Sequence, residues 1–149
     1  MAGMFADLLK RLTQPTPAEL PDADARLALT ALLVRVARSD GAYDPAEKEH
    51  IDHVTIHRYG LSPFEATDLR NRAETLETEA PDTVRFTRAI KDAVAFEDRL
   101  GVIEALWSIA LADGVRDAEE DATLRLVSNL LGINDRDSAL ARQRVQKTT

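Results

Sequence analysis

Ala37-Arg38-Ser39-Asp40-Gly41-Ala42-Tyr43-Asp44-Pro45-Ala46-Glu47 returns later in the chain as Ala110-Leu111-Ala112-Asp113-Gly114-Val115-Arg116-Asp117-Ala118-Glu119-Glu120. Both stretches read A-x-x-D-G-x-x-D-x-x-E, each with an apolar helical run before it and another after it. Upstream, Leu33, Val36 and Ala37 align with Leu106, Ile109 and Ala110; downstream, Ile51 aligns with Leu124. The echo extends to Gly60-Leu61-Ser62-Pro63-Phe64-Glu65, answered by Gly132-Ile133-Asn134-Asp135-Arg136-Asp137. Repetition over this length is a statement about architecture, because each unit must bury its apolar face against the other.

The local signals around the repeat are helical throughout. From Leu27 to Ala37 nearly every side chain is apolar, which predicts a helix buried on most sides. Gly41 is placed to end it in the left-handed conformation. Asp44-Pro45-Ala46-Glu47 is a helix start: an N-cap acid, proline at the first position, and a glutamate able to close a capping box. The helix that follows carries Ile51 and Val54 inward and stops at Gly60. Ser62-Pro63-Phe64-Glu65 repeats the start, with Leu61 placed as a staple. Ala66, Leu69, Ala73 and Leu76 then recur at spacings of three and four, an amphipathic stripe.

Pro81-Asp82 ends that helix and caps another, which turns Phe86, Ile90 and Val94 inward. A break near Glu97-Asp98 precedes a helix carrying Leu100, Ile103, Trp107, Ala110 and Leu111. Beyond the second acidic turn, Leu124, Val127 and Leu131 mark a helix ended by Gly132. Asn134 starts a last one, carrying Leu140 and a basic tail. No segment alternates with strand period, so the expected fold is all-α. It is a compact bundle of seven to eight helices, with a pseudo-twofold duplication relating 27–80 to 100–145.

Residues 1–21 are expected to be separate in character, and 22–149 to form the helical domain. Met4, Phe5, Leu8, Leu9 and Leu12 give one apolar face to a short N-terminal helix. Such a helix folds back onto its own domain or meets a membrane or partner. Pro15, Pro17 and Pro21 then make a stiff linker.

Composition narrows the function classes. At 149 residues with 44% hydrophobic content, the chain can bury one sizeable core. It has no cysteine, which excludes disulfides, thiolate metal sites and a cysteine nucleophile. No run approaches the roughly 20 apolar residues of a membrane span. A net charge of −7 disfavours phosphate-backbone binding, so no nucleic-acid partner is expected. The basic group Arg136, Arg142, Arg144 and Lys147 reads as charge placed to complement a helix C-terminus. Neither Ser39 nor Ser108 sits in a nucleophile motif, and no phosphate-binding loop follows a strand, so no enzyme is expected.

The candidate site is the pair of turns. Each sets three carboxylates at matching positions within eight residues, Asp40, Asp44 and Glu47 in the first, Asp113, Asp117 and Glu120 in the second. Hard divalent cations such as calcium, magnesium or manganese want several oxygen ligands converging from a turn. The spacing matches only the second half of an EF-hand loop. Capping explains Asp44, Glu47, Asp117 and Glu120 without any metal. It explains Asp40 and Asp113 less well, since each falls in the last turn of a helix, where the macrodipole is negative. Recognition of a basic partner is the third reading. His50, His53 and His57 lie on one side of a helix. His53 and His57, one turn apart, have a spacing that can hold zinc, although a solvated flank explains them equally.

The duplicated turn between apolar helices resembles the tellurite-resistance TerB family and its TerB-like relatives. The resemblance rests on Ser39-Asp40-Gly41 through Glu47 with Ile51, and on Ala112-Asp113-Gly114 through Glu120 with Leu124. It spans about 27–145, with Ser39 replacing the usual alanine and the N-terminal segment outside it. It implies a compact helical domain whose halves meet with their acidic turns close together. It also implies a divalent-cation role in bacterial stress response, in the cytoplasm, alongside membrane-associated protein partners. A similar domain is found attached to a membrane-bound J-domain co-chaperone. A homodimer and a purely structural interaction scaffold stay open beside these expectations.

Overall fold

The computed structural model describes residues 8–9, 22–39, 43–112 and 118–148, with the backbone alone at residues 39, 112, 118–121 and 148. The seven helices within this span are α1 (Asp22–Ser39), α2 (Pro45–Tyr59), α3 (Pro63–Glu79), α4 (Thr83–Ala93), α5 (Phe96–Ala112), α6 (Ala118–Leu130) and α7 (Asp135–Thr148). No strand occurs among the described residues, and the bundle is all-α as its periodicity predicts.

The centre of the bundle follows from the continuous apolar run. Leu27 through Val34 are all buried, including Thr30, whose hydroxyl donates to the Arg26 carbonyl at 2.7 Å. That bond lets a polar residue occupy the core without an unsatisfied group. Helix α1 packs most extensively on α3, and α5 on α7, with α2 and α6 lying against them. The stripe on α3 is inward as expected: Ala66, Ala73 and Leu76 are fully buried and Leu69 half-buried. So are Leu124, Val127 and Leu131 at the other end of the chain. Leu8 belongs to the same core and Leu9 packs beside it; the rest of residues 1–21, with the proline linker, lies outside the described residues.

Two expectations shift. The break placed near Glu97-Asp98 lies earlier: Val94 is the C-cap of α4, and Ala95 O accepts from the N–H groups of Asp98 and Arg99, both at 3.1 Å. Glu97 and Asp98 are therefore first-turn acids of α5, where the helix dipole favours them. On α7, Leu140 is 39% exposed, and Ser138 and Ala141 face the core instead.

The connections between α2 and α3 and between α6 and α7 use one piece of backbone chemistry. Gly60 and Gly132 both adopt positive φ, 66° and 76°, which a residue with a Cβ takes only with strain. Behind each glycine the chain folds back on the helix it leaves: Leu61 N–H donates to Ile56 O at 3.2 Å, and Ile133 N–H to Ser128 O at 2.8 Å. The next residue caps the following helix. Ser62 Oγ accepts from Glu65 N–H at 3.1 Å, and Asn134 Oδ1 from Asp137 N–H at 2.7 Å.

Glu65 also returns the bond, its Oε1 accepting from Ser62 N–H at 2.9 Å, which completes a capping box. The backbone bond from Ser62, and then its hydroxyl, hold the Glu65 carboxyl below the ordinary glutamate range. A lowered folded value stabilises the fold above the unfolded pKa, and that contribution fades as pH falls through the lowered one. Ser62→Ala is expected to cost about 1 kcal/mol in urea unfolding at neutral pH. The deficit should narrow in acid; a constant deficit down to low pH would count against the box.

Candidate functional site

Of the six carboxylates expected in the acidic turns, the structure places the side chains of two. Asp44 is exposed and is the N-cap of α2, its Oδ1 accepting from Glu47 N–H at 3.0 Å. Glu47 is half-buried in the first turn of that helix. Asp40, Asp113 and Asp117 lie outside the described residues, with Gly41 and Gly114, and Glu120 is described in backbone only. Among the described residues no group of three histidines and carboxylates is arranged to hold a metal ion.

The exit of the first turn is clamped by Tyr43, which sequence reading did not single out. Its hydroxyl donates to the Glu74 carboxylate on α3, and the Arg38 guanidinium and Lys48 ammonium each lie 5.1 Å from its ring centroid. Burial first, and then the Glu74 carboxylate, push the phenol pKa well above its ordinary value. Glu74 also accepts from Arg70 Nη1 at 3.2 Å, while Arg70 Nε donates to Asp52 Oδ1 at 2.7 Å. Asp52, Arg70, Glu74 and Tyr43 thus form one chain of charge-assisted bonds joining α2, α3 and the turn.

A second network holds the end of α1. Arg35 Nε donates to Glu77 Oε1 at 2.9 Å and Arg38 Nη1 to Glu77 Oε2 at 3.3 Å. The remaining Arg35 nitrogens reach Pro81 O at 2.8 Å and Glu77 O at 3.0 Å. Glu77 O lies in the last turn of α3, where it also accepts from the Ala80 N–H at 3.2 Å, and Pro81 O lies just beyond the helix. Both networks converge on the helices that enter and leave the first acidic turn.

The three histidines line an open cavity of about 500 Å³, with Val54 and Arg58 beside them and Glu104, Ser108 and Ile109 opposite on α5. Arg144 of α7 pairs with Glu104, Nη2 to Oε1 at 3.0 Å, so this member of the basic tail has a specific partner. Arg142 departs further from its expected role at a helix end. Its guanidinium lies 5.3 Å from the centroid of the Trp107 ring. Trp107 Nε1–H in turn donates to Ser138 Oγ at 3.1 Å, and Ser128 Oγ is 3.5 Å from the same oxygen. A cavity of about 220 Å³ opens beside this group.

The family model described as Tellurite resistance protein TerB matches residues 26–143. The chain belongs to the TerB family. No curated protein and no solved structure matches it. The TerB match begins one turn into α1, ends within α7, and takes in both acidic turns, the Arg35 and Arg70 networks and the Trp107 group. Among the described residues of this TerB domain, no helix is long and apolar enough to cross a membrane.

Proposed function

We propose that this TerB domain is a non-enzymatic helical module that binds a divalent cation through its two acidic turns, acting in a cytoplasmic stress response with membrane-associated protein partners. The observation that carries the cation reading is where the turns fall. Asp40 follows directly on the end of α1 and Asp113 on the end of α5. A carboxylate there is disfavoured by about 0.3–1 kcal/mol. The same acid recurs at both places, each time followed by two further carboxylates, and a bound cation reverses the sign of that penalty. A pseudo-twofold between the halves is supported by the shared glycine stops, the shared caps and the matching α1–α3 and α5–α7 pairings.

One observation favours a scaffold with purely structural turns. Asp44 is already engaged as a helix cap, and the Tyr43 and Arg35 networks brace the turn without any ion. Thermal melting separates the two. A cation bound only by the folded form raises stability by about 2.7 kcal/mol at a hundredfold excess over its Kd. Calcium, magnesium or manganese should raise Tm saturably beyond matched ionic strength, and Asp40→Asn with Asp113→Asn should remove most of the gain. Melting indifferent to all three ions would leave the scaffold. A shift with zinc alone, lost in His53→Ala or His57→Ala, would move the site to α2. Hydrolysis of a phosphoester or peptide library, lost in Asp40→Asn with folding intact, would overturn the non-enzymatic reading.

A further inference from the structure

The two halves treat one arginine differently. Arg70 follows Gly60 at the same separation as Arg142 follows Gly132, and both project from the helix started by the residue pair after the glycine. In the first half Arg70 has two carboxylates: Asp52 on α2 at 2.7 Å from Nε, and Glu74 one turn along α3 at 3.2 Å from Nη1. In the register of the acidic turns, Asp52 directly follows Ile51 and its counterpart Arg125 directly follows Leu124; in the register of the two glycines, Glu74 is answered by Gln146. Both acids of the first half are therefore replaced, one by a like charge. Arg142 and Arg125 share the wall of the 220 Å³ cavity with Trp107 and Ser138. The Nε of Arg142 is buried with no hydrogen-bond partner. Among the described residues, Asp135, exposed at the start of α7, is the one acid on that wall, against two arginines.

We propose that Arg142 and Arg125 form an anion site for a carboxylate, which takes the position that Asp52 fills in the first half. A guanidinium edge and a carboxylate match as a two-bond fork, and Arg142 has its Nε–H without a partner in the protein. The cavity is smaller than the range usual for drug-sized ligands, so it suits a single carboxylate on a short chain. The Trp107 ring and Leu124 supply the apolar wall for that chain. A free small dicarboxylate and the acidic side chain of a partner peptide offer the same group.

The protein carries one tryptophan, and it lies in the site, so its fluorescence reports occupancy directly. The full chain is titrated at constant ionic strength with succinate, with an acetylated Asp- and Glu-containing peptide, and with inorganic phosphate. A saturable change with either carboxylate is expected, the tighter of the two identifying the source. Arg142→Gln should weaken it by about tenfold or more, as loss of a charge-assisted bond does, whereas Arg136→Gln should leave it unchanged. Arg125→Asp rebuilds the arrangement of the first half within the chain. It should abolish the titration and raise Tm by about 2–4 °C. Fluorescence indifferent to both carboxylates, phosphate binding more tightly than either, or Arg125→Asp lowering Tm with the titration intact would each overturn the proposal.

Discussion

Arg35→Ala is expected to destabilise the domain by about 3–5 kcal/mol, the range for removing one member of a buried ion pair. The side chain of Glu77 is 9% exposed and would keep only Arg38, which is itself 39% exposed and bonded at 3.3 Å. The loss does not stop at the carboxylate. Pro81 O would also lose its Arg35 donor, and Glu77 O would keep only the Ala80 N–H. Arg35→Lys should recover only part of the deficit, because an ammonium cannot serve a carboxylate and two carbonyls in the plane of one fork. Arg35→Met combined with Glu77→Leu should be milder than Arg35→Ala alone, since replacing both charges leaves neither stranded. Urea unfolding of the four proteins decides this, and a loss under about 1 kcal/mol in Arg35→Ala would remove the network from any structural role. Because α1 leads into the first acidic turn, the same variants should weaken any response of Tm to a divalent cation.

What could be read from sequence was local. The stops at Gly60 and Gly132 and the caps at Asp44, Ser62, Asp82 and Asn134 depend on residues within one turn of each other, and each is found where its pattern predicts. The inward faces of α1, α3 and α6 were legible for the same reason, because burial imposes its period on neighbouring residues. Glu97-Asp98 misled because two acids look like a loop, although they are equally the preferred first turn of a helix. Partners far apart in sequence were not legible. Periodicity tells which face of a helix is inward but not which side chain it meets, so the pairing of Arg35 with Glu77, or of Trp107 with Ser138, left no mark. Arg142 illustrates the ambiguity: a basic residue near the end of a helix satisfies the dipole rule and says nothing of the indole beneath it. Within the candidate site, the capping role of Asp44 was legible as a short-range pattern. The convergence of the two turns is a long-range expectation, and most of its carboxylates, Asp40, Asp113, Asp117 and Glu120, have no described side chain on which to judge it.

Phe86→Ala should cost about 3–5 kcal/mol, the transfer of a large ring plus the cavity left behind. Phe86 is fully buried on α4, where it forms an inward stripe with Ala89, Ile90 and Ala93, while Val84 is exposed. That helix packs on α1 and α6, so the ring lies where elements of both halves meet. Collapse around the void is restricted because Leu32, Ile103 and other core side chains are already fully buried and close-packed. The Arg35 guanidinium stands 5.6 Å from the ring centroid, which ties this substitution to the ion network. The ring face attracts the cation, and the ring's bulk also holds the arginine against Glu77. Two losses that share one contact do not add, and a double-mutant cycle between Phe86→Ala and Arg35→Ala should return a coupling of about 0.5–2 kcal/mol. Chemical denaturation of the two single variants and the double measures it. A coupling of zero would mean that the Glu77 carboxylate and the carbonyls of Glu77 and Pro81 hold Arg35 unaided, and that the ring contributes to the core alone.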